Sequence, residues 1–206
     1  GPERTFTMLT DVDMRLPVIT DENGDNIELT QANYGLFRRS PDRRVRRRAY
    51  LAMQGKFLGY KNTLAAVYAN SVKFDNYFAG VKGYQNALHA ALFQFDVPVS
   101  VYESLIQAVN RNLPALARYL TLRRKAMKLK QLRHYDLYAP IVTQDERDYP
   151  FAKAKEIVLA ALAPLGEKYA AILRRAFDEK WIDVYEKRGK ITGAFSCGVY
   201  GVHPYI

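Results

Sequence analysis

The chain has 206 residues, of which 49% are hydrophobic and 25% charged, so it can bury a core as one helical domain or two smaller ones and is not a disordered tail. Lys and Arg outnumber Asp and Glu by 31 to 21, and the formal charge of +10 favours either anionic partners or solubility. The single cysteine, Cys197, excludes an internal disulfide framework, and no apolar run approaches the roughly 20 residues of a membrane span. We therefore expect a cytoplasmic protein that has no membrane partner.

The segment from Leu16 to Thr30 predicts a β-hairpin. Two short β-prone runs flank Asn23 and Gly24, a pair that tolerates positive φ. The alternating acidic residues of the turn resemble a calcium loop, but the glycine is misplaced and no Glu closes a 12-residue loop. We therefore predict a structural turn.

Helices are predicted from Thr30 onward. Thr30 caps a short helix that runs through Arg39, and Ser40 then caps a second helix, with a proline in its first turn. An apolar stripe continues along this second helix to about Gly80, which predicts a spine about 60 Å long at 1.5 Å per residue.

The later part of the chain predicts further helices separated by prolines. Ser100 is the expected cap of one of them, and Pro114 occupies the first turn of the next. A segment rich in aromatic residues, from Leu132 to Val142, lacks a helical stripe and is predicted to be an extended or looped cover. The predicted helices are Asn86–Phe93, Val101–Asn112, Pro114 to about Lys128, Phe151–Leu162 and Pro164 to about Lys180.

The last stretch, Ile191–Ile206, is the longest segment without a helical period. Three glycines interrupt aromatic and β-branched residues, as in a strand that bends or lies close to another backbone. We predict a strand that accepts an extended peptide by strand addition, and a short structural hairpin with glycine bulges is the alternative. The predicted division is an N-terminal segment with a hairpin (1–30), a helical domain (31–180) and a C-terminal strand segment (181–206).

The residues that could carry metal or nucleophilic chemistry are far apart in the sequence. His89, His134 and His203 are not arranged as His-Glu-x-x-His, so no zinc site is predicted within the chain. Cys197 and His203 are six residues apart in the predicted strand, about 20 Å at 3.3 Å per residue, and contact each other only if the strand folds back. No nucleotide-binding glycine motif is present.

Seven arginines lie between residues 38 and 48, and such a cluster could bind phosphates. Because Val45 continues the apolar stripe, we predict instead that the arginines form a solvated helix face on which Asp42 pairs with Arg46. A second basic cluster, residues 118–130, allows the same two interpretations. Nucleic acid is therefore an unlikely partner.

The C-terminal segment, Trp181 to Ile206, closely resembles the segment that precedes the zinc-binding helix in oligoendopeptidase F and its thimet-oligopeptidase-like relatives. Similar motifs occur in the same order along nearly the whole chain. They are Thr7–Met14, Ser40–Arg47, Asn62–Ala66, Ala90–Phe93 with Val97–Pro98, His134–Tyr138 and Ala154–Gly166.

This resemblance implies a mostly α fold: a multi-helix domain with a small N-terminal β-hairpin and a C-terminal strand, as part of the two-lobed channel fold of the family. It also implies a cytoplasmic zinc metallopeptidase that cleaves short peptides in a channel between helical lobes. In the family, a His-Glu-x-x-His helix supplies two zinc ligands and the general base, and a later Glu is the third ligand. These elements would lie beyond Ile206, so we expect a fragment that holds no cofactor and is inactive alone.

The resemblance also assigns candidate substrate-binding residues, all in the C-terminal stretch. The backbone of the first four would hydrogen-bond an extended peptide along the channel wall, and the others belong to a glycine-rich loop near the active site. These candidates are Gly193, Ala194, Phe195, Ser196, Gly198, Tyr200, Gly201, His203 and Tyr205. No catalytic or metal-binding residue is expected in the chain.

Three functions remain open. The first is a fragment of a zinc metallo-oligopeptidase that contributes scaffold and channel wall, with short peptides and the rest of the peptidase chain as partners and with self-association through the C-terminal strand. The second is a non-catalytic helical module that binds peptides or a partner protein. The third, a basic nucleic-acid-binding protein, rests only on the arginine clusters.

Overall fold

A computed structural model describes residues 1–142, 149–186, 190 and 193–206. The fold is mostly helical with one two-stranded antiparallel sheet, which confirms the predicted fold class. The chain forms two compact units, Gly1–Val142 and Thr143–Ile206. The three-part division that we predicted, with boundaries after residues 30 and 180, stays a prediction. Among the described residues, no helix is both long enough and apolar enough to cross a membrane.

The N-terminal helix was not predicted from the sequence. Helix α1 (Pro2–Thr7) continues into a π-helical turn, Met8–Asp13. Gln31 donates a hydrogen bond of 3.2 Å to the carbonyl oxygen of Thr10, which ties this turn to the start of the next helix. The helical N-terminus and the hairpin therefore belong to the same unit.

The hairpin is confirmed. Strand β1 (Val18–Thr20) pairs antiparallel with β2 (Asn26–Glu28), and Ile19 lies opposite Ile27. Gly24 has φ +95°, a left-handed conformation that glycine adopts at little cost. The carboxylate of Asp21 accepts hydrogen bonds from the backbone N–H groups of Asn23 and Asp25, both at 2.8 Å. Hydrogen bonds within the acidic turn therefore fix its conformation.

Helix α2 (Gln31–Phe37) begins where it was predicted to begin. The hydroxyl of Thr30 accepts from the backbone N–H of Asn33, and the Asn33 side chain accepts from the backbone N–H of Thr30. The cap of helix α3 (Arg43–Gly59) is different from the prediction, because Asp42 and not Ser40 caps it. Residues of the hairpin, α2 and α3 form the buried hydrophobic core, which consists of Leu16, Ile19, Leu29, Phe37, Val45, Ala49 and Met53.

The predicted 60 Å spine is wrong. Helix α3 ends at Gly59, Tyr60 leaves the helical conformation with φ −104° and ψ 12°, and helix α4 (Lys61–Val81) starts afresh. A glycine at the end of a helix carries little helical propensity, so the apolar period alone did not keep the two segments in one helix.

Two predicted helices are in fact one. After helix α5 (Ala87–Phe93), helix α6 (Val99–Ala126) begins directly after Pro98, so Ser100 is not its cap, and it continues through Pro114. A proline removes one hydrogen bond from a helix interior, and the Leu and Ala residues around it favour helix strongly enough to continue. Five apolar residues of α6 are more than half exposed: Val101, Leu105, Val109, Leu116 and Leu122.

The second unit contains helices α7 (Phe151–Ala161) and α8 (Glu167–Asp178), joined by a short 3-10 turn, Ala163–Leu165. Both helices end slightly earlier than predicted. They are held together by an ion pair of 2.6 Å between Lys155 and Asp178 and by the edge-to-face rings of Phe151 and Phe177.

The C-terminal segment is not a continuous strand, which corrects our prediction. Gly193–Ser196 is not assigned to a strand, and the segment forms a single antiparallel bridge between Cys197 and Tyr205. Gly201 has φ +82° and allows the chain to turn back on itself, so the segment pairs with its own residues.

Candidate functional site

The arginine cluster of residues 38–48 is only partly the solvated face that we predicted. The side chain of Arg46 is 4% exposed, and its guanidinium lies 3.1 Å from the carboxylate of Asp136. Asp42 pairs with Arg44 at 3.0 Å and not with Arg46. The predicted Asp42–Arg46 pair is therefore wrong.

Asp136 is fully buried and is the centre of this arrangement. Arg43 donates to its two carboxylate oxygens at 3.0 and 2.9 Å. Arg123, from the second basic cluster, donates to the backbone oxygens of Asp136 and Ala139. Burial acts to raise the pKa of Asp136, but the hydrogen bonds from Arg43, from the backbone N–H of Arg133 and from Arg46 outweigh it and hold the pKa below its ordinary value.

Each basic cluster thus contributes one buried arginine, Arg46 or Arg123, that hydrogen-bonds to Asp136. Both guanidinium groups donate to oxygen atoms of the protein itself. The sequence did contain a signal for Arg46, since it precedes the buried Ala49 by three residues and the buried Met53 by seven. Residues at these spacings share one helix face, so Arg46 lies at the edge of the apolar stripe.

The first four candidate substrate-binding residues, Gly193–Ser196, lie in an exposed irregular segment. Gly193 has φ +131°, and the side chain of Phe195 is 72% exposed. Phe195 is therefore available for contact.

The remaining candidates form a loop closed at its base. The backbones of Cys197 and Tyr205 exchange two hydrogen bonds of 2.9 Å. At the tip, the N–H of Val202 donates to the carbonyl oxygen of Val199 at 3.1 Å, and Gly201 supplies the positive φ expected at the third position of a type II turn. Tyr200, at the second position of that turn, is completely exposed. Cys197 and His203 now lie on opposite sides of one loop, because the chain folds back between them.

His203 meets a residue that our site prediction did not include, Trp181. The imidazole of His203 stacks on the indole, with ring centroids 4.5 Å apart and an angle of 5° between the planes. The ring of Tyr205 lies 4.6 Å from that of His203. The structure therefore brings His203 and Tyr205 together and leaves Phe195 and Tyr200 exposed. The only signal in the sequence for Trp181 is that it is the sole tryptophan.

The end of helix α8 fixes the position of Trp181. Arg175 donates a hydrogen bond to Glu179 at 2.9 Å, and the indole N–H of Trp181 donates to the same carboxylate at 3.0 Å. The hydrogen bond from Arg175, followed by that from Trp181, lowers the pKa of Glu179 below its ordinary value. Glu179 therefore stays a carboxylate, and so an acceptor for both donors, at neutral pH.

The described residues do not fit a zinc site. No group of three or more His, Cys, Asp or Glu side chains within them could hold a metal ion. Each histidine contacts an aromatic ring: His89 faces Tyr84 at 5.6 Å, His134 stacks on Tyr50 at 6.2 Å, and His203 lies on the indole. The C-terminal loop instead offers exposed backbone next to exposed aromatic rings, a combination that suits binding of an extended chain.

The fold and the sequence both match those of known peptidases. The crystal structure of oligoendopeptidase-F from Enterococcus faecium superposes with a TM-score of 0.68 and 35% identity, covering 87% of this chain and 33% of that one. Oligopeptidase PepF of Bacillus subtilis is 42% identical over 202 residues, which are 98% of this chain and 30% of PepF. Group B oligopeptidase PepB of Streptococcus agalactiae is 38% identical over 98% of this chain and 33% of PepB.

These similarities place the chain in a class of mostly helical proteins that includes peptidases. Residues 36–206 match the pattern of peptidase family M3, and the chain belongs to that family. It spans about a third of the length of the relatives it matches, since it covers 30% of PepF and 33% of PepB.

Proposed function

We propose that this chain is the part of a zinc metallo-oligopeptidase that supplies the helical scaffold and a wall of the peptide channel, while the zinc ligands come from another part of the peptidase. The observation that carries the proposal is the identity to named oligopeptidases, 42% for PepF, over nearly the whole chain. The substrates would be short peptides. We propose the cytoplasm as the site of action.

The exposed C-terminal loop supports a peptide-binding role. The candidates Gly193, Ala194, Phe195 and Ser196, together with Gly198, Tyr200 and Gly201, combine an accessible backbone with accessible aromatic rings. A peptide in an extended conformation would use that backbone for hydrogen bonds and the rings for its apolar side chains. His203 and Tyr205 would fix the position of the loop, because His203 packs between Tyr205 and the indole of Trp181.

The exposed apolar side chains of α6 support a second part of the proposal, the remaining part of the peptidase chain as a partner. Large contiguous apolar surfaces are rare on monomeric proteins and commonly mark interfaces. Val101, Leu105 and Val109 follow one another at four-residue intervals and so form one stripe on the helix. Burying such a stripe in a packed interface is more favourable than leaving it exposed to water.

Peptide binding by the purified chain tests the first proposal. Fluorescein-labelled random octapeptides should show saturable binding by anisotropy, and the double variant Phe195→Ala/Tyr200→Ala should bind at least about fivefold more weakly, since two aromatic contacts are lost. The matched control is Phe95→Ala/Tyr68→Ala, which removes the same two residue types at positions that are also exposed. Equal binding by both double variants would overturn the proposed site.

Elemental analysis and a peptidase assay test the assignment of the zinc to another part of the peptidase. We expect the purified chain to hold no stoichiometric zinc and to leave a quenched fluorescent peptide uncleaved, because a metal-activated water needs ligands that the described residues do not assemble. One tightly bound zinc per chain, with cleavage that a chelator abolishes, would contradict the proposal.

A further inference from the structure

The indole of Trp181 is the surface on which the C-terminal loop rests. Trp181 is 5% exposed, although the loop beside it is largely exposed. One face of the indole carries His203, stacked at 4.5 Å, and Tyr205 packs against His203 in turn. The three rings form a column in which the two loop residues, His203 and Tyr205, reach the rest of the unit through the indole of Trp181.

The orientation of that indole is set from helix α8. The guanidinium of Arg175 lies 5.5 Å from the ring centroid, and Glu179 accepts both the indole N–H and the guanidinium N–H. Lys180 has φ +57° and ends the helix, and the N–H of Trp181 then donates to the carbonyl oxygen of Ala176 at 3.0 Å. This is the hydrogen bond of a Schellman motif, which turns the chain back so that Trp181 lies against its own helix.

The backbone next to the column is also held. Ile206 donates to the carbonyl oxygen of Trp181 at 2.9 Å, and Asp183 donates to the carbonyl oxygen of Ile206 at 2.8 Å. Hydrogen bonds therefore fix the chain just after Tyr205, and the bridge between Cys197 and Tyr205 closes the loop. Only the tip around Tyr200 extends from this fixed base.

We propose that Trp181 is a positioning residue for peptide binding: it holds the loop Cys197–Tyr205 in its binding conformation through the stacked ring of His203, while Glu179 and Arg175 hold the indole. The inference rests on the proposed function of the loop as a peptide-binding wall. Trp181 acts through His203 and does not itself touch the peptide. Because a stacked pair contributes modestly, loss of the stack should weaken peptide binding by about threefold to tenfold.

The fluorescence of the chain reports the stack directly, because Trp181 is the only tryptophan. The indole is only 5% exposed and carries the imidazole on one face, and the emission of an indole moves to longer wavelength when water reaches the ring. The emission maximum should therefore move to longer wavelength in His203→Leu, which removes the stacked ring, and should stay near the wild-type value in His203→Phe.

The matched control for the fluorescence test is His89→Leu, which removes a different aromatic-packed histidine in the same way and should leave the emission maximum at the wild-type value. If His203→Leu shows the same emission maximum as the wild type, the two rings are not stacked in solution and the inference is wrong.

Hydrogen exchange and peptide affinity test the positioning role. In His203→Leu, exchange of the amides of residues 198–205 should accelerate and octapeptide binding should weaken about threefold to tenfold. His203→Phe keeps a stackable ring and should restore both properties to near the wild-type values, a rescue that would fail if the loop depended on the imidazole nitrogens. Glu179→Gln, which leaves the ring column intact, should give a smaller change in the same direction.

The possible results separate the inference from the proposed function. If the wild type binds octapeptides and His203→Leu binds them equally well, the positioning role is wrong while the proposed function stands. If the wild type binds no peptide, the proposed function is wrong and the positioning role for peptides with it, whereas the exchange rates still show whether the ring column holds the loop.

Discussion

Asp136 in the first unit and Trp181 in the second each hold together segments that are distant in the sequence, but they do so with different interactions. Asp136 is a buried charge that two arginines neutralise, with Arg46 coming from 90 residues away. Trp181 is a buried ring on which a mostly exposed loop is stacked. A buried charge left without its partner is costly, whereas a ring contact weakens gradually as it is altered. The first arrangement therefore suits a fixed frame, and the second suits a loop whose position tolerates small changes.

The largest expected effect comes from removing the charge of Asp136. Asp136→Asn leaves the buried guanidinium of Arg46 without a counter-ion, so the free energy of unfolding should fall by about 3–5 kcal/mol in denaturant titrations. Glu156→Gln, which removes an exposed pair with Lys153, is the matched control and should leave the unfolding midpoint nearly unchanged. A loss below about 1 kcal/mol for Asp136→Asn would mean that water screens the ion pairs of Asp136. Asp136 would then not differ from Trp181 in the way described above.

A second prediction compares two arginines of the same helix. Arg46→Met removes one donor from a buried carboxylate that keeps Arg43, so the free energy of unfolding should fall by about 2 kcal/mol. Arg44→Met, on the exposed face, should have no measurable effect on the unfolding midpoint. Equal midpoints for the two variants would show that the whole arginine cluster is solvated, as the sequence had suggested.

The pH dependence of stability should report the same centre. Because the pKa of Asp136 is lower in the folded state than in the unfolded chain, its contribution is fully present above the unfolded-state pKa of about 3.9 and is lost as the pH falls through the folded-state pKa. The difference in unfolding free energy between wild type and Asp136→Asn should thus be constant from about pH 7 to about pH 5 and shrink below about pH 4. A difference that grows on acidification would contradict the lowered pKa.

The smallest expected effect on stability lies in the C-terminal segment. Phe195→Pro should leave the unfolding midpoint unchanged, because the side chain is 72% exposed. If the chain self-associates by backbone pairing here, as we predicted, the missing N–H should weaken the association in sedimentation experiments.

Tyr200→Pro is the control for the association, since proline suits the second position of a type II turn and should leave it unaltered. A wild type that stays monomeric at high concentration would show that the predicted self-association is wrong.

Particular residues show how far the sequence could be interpreted. Thr30 and Gly24 were assigned correctly to a helix cap and a turn because each acts on neighbours within four residues. The predicted break at Pro114 and the predicted continuity at Tyr60 were both wrong, because each depended on the balance between one local preference and the helix around it. The C-terminal loop was located correctly, but its closure on Trp181 was not foreseen.

The sequence by itself determined the family, the helical class, the hairpin with its register-setting turn, and the stretch that carries the candidate binding residues. Those features follow from periodicity, caps and motifs, which act over a few residues or are carried by the sequence itself. Only the tertiary structure decided that Arg46 and Arg123 pair with Asp136 and its backbone, and that His203 lies on Trp181. An ion pair or a ring stack depends on distance in space, and the partners here are up to 90 residues apart, so folding brings together groups whose spacing in the sequence carries no such information.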